Sequence, residues 1–251
     1  MIIAVTSYRG GCGKSLISLN LAIKLAATHN TLLLEADFLA PSFVHVLPEL
    51  RPDYSWNDYL IGNSDQKQVM QKLQLAGHSL DVVCTKPNDS NLFKRIQDKN
   101  SWKGEFFDRI NRFLSEQRKV RDFIIIDNQS GTFLSTATHA FFSDSLICIA
   151  RPDRTDMPGT YNYLDMLKKN FYIVWNQSLD VIDMDKIIEK WNSVFFARLP
   201  NYKGSLGKIP FDEKTAYQRW IKGQAIIQTT PFATEIGKIV EQIKTIQGSG
   251  N

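Results

Sequence analysis

The 251-residue chain is poor in the patterns that announce several protein classes. Its three cysteines, Cys12, Cys84 and Cys148, stand far apart and form no CxxC or CxC pair. That spacing gives neither a disulfide framework nor a cysteine-rich metal site, and it fits a reducing compartment. His29, His45, His78 and His139 fall into no HxxxH or HxxE pattern, so a zinc site is not indicated. No apolar run approaches the roughly 20 residues that span a bilayer, and residues 1–7 read as a strand, not as the charged start of a signal peptide. Charge of one sign is also scarce. Thirty Lys plus Arg against 26 Asp plus Glu leaves +4, too mild by itself to imply a nucleic-acid or membrane surface. With 14 Gly and 9 Pro the chain is no low-complexity polymer, and it carries no internal repeat or linker-like stretch. The expectation is a cytoplasmic protein.

What is present is globular: 43% hydrophobic and 22% charged residues, in a chain long enough for one large domain. Short aliphatic runs at residues 2–7, 31–37, 80–86, 122–127, 145–152 and 171–176 read as strands buried on both faces. Between them lie helical stripes, Leu16, Leu19, Ile23 and Ala26 on one and Phe106, Ile110, Phe113 and Leu114 on another. Strand and helix in alternation predict a doubly wound α/β domain, its mostly parallel sheet covered by helices on both faces. The domain is expected over residues 1–246 and a disordered tail over 247–251, while Pro48 to Gly77, which includes Trp56, reads as an insertion or peripheral helices.

The strongest motif is Arg9-Gly10-Gly11-Cys12-Gly13-Lys14-Ser15, between a strand and a helix. Glycines let backbone N–H groups converge on phosphate oxygens, the helix N-terminus adds positive dipole, Lys14 a point charge, and Ser15 a hydroxyl placed for Mg2+. A strict Walker loop has Gly where Tyr8 stands.

RGGCGKS resembles the deviant Walker A loop of the ParA/MinD family, normally KGGxGK[ST], and Asn20-Leu21-Ala22 resembles the family's first helix. Arg9 replaces the early lysine that in the family reaches across a dimer to the partner's nucleotide, and Leu16 stands where a second Thr is usual. The resemblance implies a P-loop fold, ATP and Mg2+ as cofactors, and phosphate binding by Gly10, Gly11, Cys12, Gly13, Lys14, Ser15 and Leu16. Glu35 to Ser42 resembles switch I, with Asp37 implied to position the attacking water. Ile124 to Gly131 resembles Walker B and switch II, with Asp127 implied to share the metal with Ser15, and Gly131 to offer its N–H to the terminal phosphate. Asn176 resembles the family's adenine-reading strand-end Asn, and Ile209-Pro210-Phe211-Asp212 a loop flanking the base. The catalytic set implied is Asp37, Lys14 and Arg9.

The expected activity is slow Mg2+-dependent ATP hydrolysis by a switch that dimerises with ATP and acts in positioning or partitioning. Expected partners are a second copy, and a protein activator or cargo. Non-specific DNA is a weaker candidate through Arg109, Arg112, Arg118, Lys119 and Arg121, or through Lys214, Arg219 and Lys222. The last helix shows Ile236, Ile239, Val240, Ile243 and Ile246 with no basic excess, which reads as core packing and disfavours membrane attachment. Two alternatives stand beside this reading. One is a nucleotide-dependent scaffold with weakened hydrolysis, given the departures at Arg9, Leu16, Glu35 and Gln129; the other is a metal-centre maturation ATPase, for which Cys84 and Cys148 are the only thiols outside the loop.

Overall fold

The computed structural model describes residues 1–86, 94–95, 98–179, 183–228 and 230–248. Its strands are β1 (Ile2–Thr6), β2 (Thr31–Ala36), β3 (Gln71–Leu75), β4 (His78–Val83), β5 (Phe123–Asn128), β6 (Ser145–Ala150), β7 (Phe171–Ser178) and β8 (Tyr202–Pro210). They form one eight-stranded sheet in the order β3-β4-β2-β5-β1-β6-β7-β8, parallel except for β3 against β4. The expected doubly wound α/β architecture is the observed one.

Every residue of β1, β2, β5 and β6 is buried, because helices cover both faces. Alternation of side chains then splits each aliphatic run between two cores. Ile2, Leu32, Leu34, Ile124 and Ile126 face one way, toward Trp56, Phe106, Ile110 and Phe113. Ile3, Val5, Leu33 and Ile125 face the other, toward Ile17, Leu21, Ile236, Ile239 and Ile243. The first core is roofed by α3 (Trp56–Ile61), α5 (Glu105–Arg118), α6 (Leu134–Phe142), α7 (Met157–Leu167) and α8 (Met184–Lys190), the second by α1 (Lys14–Ala26), α2 (Phe43–Val46) and α10 (Thr230–Gly248). Two further helices are α4 (Lys99–Lys103) and α9 (Glu213–Trp220), and α8 runs on into short π and 3-10 turns over Trp191–Phe195 and Phe196–Arg198.

Three expectations are corrected. The stretch from Pro48 to Gly77 is no peripheral insertion: it holds α3, whose fully buried Trp56 stacks on Tyr59 at 5.2 Å and meets Phe113 edge-on at 4.9 Å. It also holds β3, joined to β4 through Ala76 and Gly77, both at positive φ (52° and 82°), the two-residue turn that suits strand twist. Second, residues 209–210 are the end of strand β8, not loop. Third, Gln247 and Gly248, expected in the tail, belong to α10; the rest of that expectation, residues 249–251, lies outside the described residues.

Phe232, Ile236, Ile239, Val240 and Ile243 of α10 are buried against α1 and β8, as the apolar pattern predicts. Among the described residues, no helix is long and apolar enough to cross a membrane.

Candidate active site

Chain direction decides where the site lies. From β1 the chain turns through α1 to β2 on one side, while β6 follows β5 on the other, so the crevice at the carboxyl ends of β1, β2 and β5 stands where the winding reverses. A cleft of about 700 Å³ opens there. It is lined by Gly10, Gly11, Gly13, Lys14, Ser15, Leu16, Asp37, Asn176, Pro210 and Asp212, ten residues that the sequence singles out.

The loop from β1 to α1 is braced from beneath and from the side. Ser7 Oγ donates to the Arg9 carbonyl at 2.9 Å and lies 3.0 Å from Ser130 Oγ. From the end of β7, Asn176 Nδ2 donates to the Cys12 carbonyl at 2.7 Å and Gln177 Nε2 to that of Gly11 at 3.4 Å. Gly13 has φ 89°, and a Cβ there would fall 2.3 Å from Asn176 Nδ2. Only glycine permits both the turn and the approach. The amide nitrogen of Asn176 is thereby committed to the loop.

Lys14 is 5% exposed, with Nζ 3.0 Å from Asp127 Oδ1 and 3.8 Å from Asp37 Oδ2. Burial pulls the ammonium's pKa down, and the Asp127 and Asp37 carboxylates more than offset it, so the group ends above its ordinary value and stays charged. Ser18, one turn along α1, donates to the same Asp127 Oδ1 at 2.9 Å. Asp127 Oδ2 is buried and has no hydrogen-bond partner among the described residues. An orphaned buried carboxylate oxygen beside a serine hydroxyl is the donor chemistry of a hard cation.

Asp37 spends Oδ1 on the backbone, accepting from Leu39 N (3.2 Å) and Ala40 N (3.0 Å), which leaves Oδ2 toward the cleft and Lys14. Glu35 has a different task. It is fully buried, accepts from Ser42 N (2.5 Å), Phe43 N (2.9 Å) and Thr85 N (3.2 Å), and ties the loop after Asp37 to the sheet. Burial pushes its carboxyl up to about 8 against the pull of those three donors.

Not every expected residue points inward. Arg9 turns away: its Nε sits 2.6 Å from Asp156 Oδ1 and its Nη2 donates to the Thr155 carbonyl at 3.2 Å, in the β6–α7 loop of its own subunit. Gly131 donates its N–H to the Ser7 carbonyl at 3.0 Å instead of offering it to the cleft. Cys12 is 2% exposed and reaches the site only through its backbone; burial raises its thiol pKa. Arg109, Arg118 and Arg121, considered for DNA, pair with Glu105, Asp144 and Asp81 of the same chain. Sequence reasoning missed Ser18, although its i+4 spacing from Lys14 was a signal, and missed Asp156, for which the sequence offers none.

No family model and no curated protein matches the chain. Solved structures do. The cell division ATPase MinD of Pyrococcus furiosus superposes with a TM-score of 0.78 at 19% identity, over 98% of each chain. A McdA–ATP complex from Cyanothece gives 0.77 at 13% identity, covering 98% of this chain and 96% of that one. A plasmid partition protein of Borrelia burgdorferi bound to AMPPNP gives 0.73 at 16% identity, over 98% of each. Sheet order, P-loop and these likenesses agree: the chain has the ParA/MinD fold, a single-domain α/β P-loop architecture.

Proposed function

We propose that the protein is a Mg2+-dependent ATPase of low intrinsic rate whose ATP form is a homodimer, a switch for intracellular positioning or partitioning. The observation that carries this is the Lys14, Asp127 and Asp37 cluster with Ser15 at the mouth of the glycine loop. Phosphoryl transfer to water asks a protein mainly to position and to balance charge. Gly10 to Ser15 bring backbone donors to the phosphates, and the buried Lys14 ammonium balances their charge. Ser15 Oγ and the orphaned Asp127 Oδ2 fit Mg2+, which when bound would offset further negative charge on the phosphate oxygens. Asp37, held by its own loop through Oδ1, turns Oδ2 toward the cleft beside Lys14, where it would orient the attacking water. The Asn176 carbonyl oxygen matches the amino group of adenine.

That MinD, McdA and plasmid partition proteins share this fold supports the positioning role. Against a metal-centre maturation role stands the burial of both remaining thiols, Cys84 at 1% and Cys148 at 0% exposure. Burial also pushes the Cys84 thiol up to about 12, far from a ligand's thiolate.

One observation favours the scaffold reading: Arg9 is held by Asp156 in its own subunit, not extended toward a partner. Size-exclusion chromatography with light scattering decides between the two, on the protein alone, with Mg-ADP, and with Mg-ATP in an Asp37→Ala variant. A doubling of mass with ATP alone is expected. An unchanged mass with nucleotide bound selects the scaffold, and absence of nucleotide binding removes both readings.

A further inference from the structure

The wall of the cleft that holds Pro210 to Asp212, the segment resembling a base-flanking loop, continues into α9, which no motif covers. Strand β8 passes to α9 through Phe211 and Asp212, and both are fixed in place. Phe211 N donates to the Ser178 carbonyl at 2.8 Å, just past the Asn176 end of β7. Asp212 Oδ2 caps α9, accepting from Thr215 N at 2.9 Å and from Thr215 Oγ1 at 2.6 Å. Along α9, Ala216 and Trp220 lie four residues apart, hence on one face, and both line the cleft together with Phe211 and Pro210.

The rings of Phe211 and Trp220 are 6.5 Å apart, inclined at 43°. Both are exposed, at 42% and 69%. Two large aromatics left in water at the rim of the cleft are an unspent apolar surface, and such surfaces mark binding sites. Ala216 contributes only a methyl group to this wall.

We propose that Phe211 and Trp220 form an aromatic clamp for the base of the bound nucleotide, Trp220 stacking on its face while Asn176 reads its edge. This rests on the nucleotide reading above, and adds the residues that make the cleft prefer a nucleoside triphosphate over phosphate alone. Stacking suits the task because every base has a π-face, and a rigid indole loses little freedom on ordering.

The test is calorimetric titration of the full chain with Mg-ATP and with Mg-tripolyphosphate, which keeps the phosphates and lacks the base. Wild type, Phe211→Ala, Trp220→Ala and Trp220→Phe are compared. The clamp predicts that ATP affinity falls about tenfold in each alanine variant and stays within about twofold in Trp220→Phe, with tripolyphosphate affinity the same in all four. ATP should also quench a component of wild-type tryptophan emission that Trp220→Phe lacks. Unchanged ATP affinity in the alanine variants overturns the clamp and leaves the phosphate site standing. Equal losses for ATP and tripolyphosphate overturn it as well, since α9 would then be shaping the cleft or covering it for a partner. A wild-type protein that binds neither ligand overturns the nucleotide reading, and the clamp with it.

Discussion

At the scale of single residues, the glycine loop divides into positions that tolerate a side chain and positions that do not. A Cβ on Gly10 would meet nothing within 4 Å, whereas on Gly13 it would meet the Asn176 amide at 2.3 Å, at φ 89°. Gly13→Ala therefore carries the strain of a left-handed alanine and breaks the Asn176 to Cys12 hydrogen bond, together about 3 kcal/mol of stability. Urea unfolding should show that loss for Gly13→Ala and a change below about 0.5 kcal/mol for Gly10→Ala. Equal midpoints for the two variants would mean that the loop opens freely and is not braced by β7. Gln177, at φ 56°, is the counterpart on the bracing strand: a non-glycine residue held in a strained conformation beside the loop it touches.

At the scale of elements, α6 carries an acid-labile joint. His139 is fully buried, its Nδ1 2.7 Å from the Ser135 carbonyl and its Nε2 without a partner among the described residues, between Phe38 and Trp56. Burial lowers its pKa to about 4, the Ser135 carbonyl opposing in part. The folded value lies below the unfolded one near 6.5, so its contribution is complete above that pH and is lost as pH falls through about 4. The loss amounts to about 3 kcal/mol. Glu35 acts in the opposite sense, costing stability as pH rises from its ordinary value toward about 8, so the histidine is isolated by difference. Unfolding of wild type and His139→Gln at pH 7 and pH 4.5 should show acid destabilisation reduced in the variant; identical slopes would place the titration elsewhere. The same elements explain what could be read beforehand. Central strands announce themselves because both faces are buried, whereas β3 is a short edge with Lys72 and Gln74 turned to solvent, and β8 is interrupted by Gly204 and Gly207 at positive φ. In the site, Gly10 to Ser15 are legible as one contiguous string. Asp156, Trp220 and Thr85, the far partner of Glu35, come from distant parts of the chain, and only packing brings them near.

At the scale of the whole molecule, Arg9 is the residue on which the proposed ATP-dependent dimer is tested. Its guanidinium is 46% exposed, while Asp156 is 4% exposed and also lies 3.6 Å from Arg151. An ion pair with its guanidinium half in solvent contributes about 1 kcal/mol, small enough for a phosphate across an interface to outcompete it. Asp156→Asn is therefore expected to raise the dimer fraction with Mg-ATP, and Arg9→Ala to abolish the dimer while retaining ATP affinity, both read by analytical ultracentrifugation. A dimer that persists in Arg9→Ala would exclude the cross-subunit role. The far edge of the sheet bears on how such measurements are read. No strand pairs with the outer side of β8 among the described residues, and an open parallel edge invites another chain to add a strand. Here that edge carries exposed Lys203 and Lys208, two glycines with φ of 125° and 137°, and a terminal Pro210 with no N–H to give. Polymer growth by strand addition is thereby discouraged, so a concentrated sample should stay clear without nucleotide, and turbidity in a nucleotide-free control would betray unfolding, not assembly.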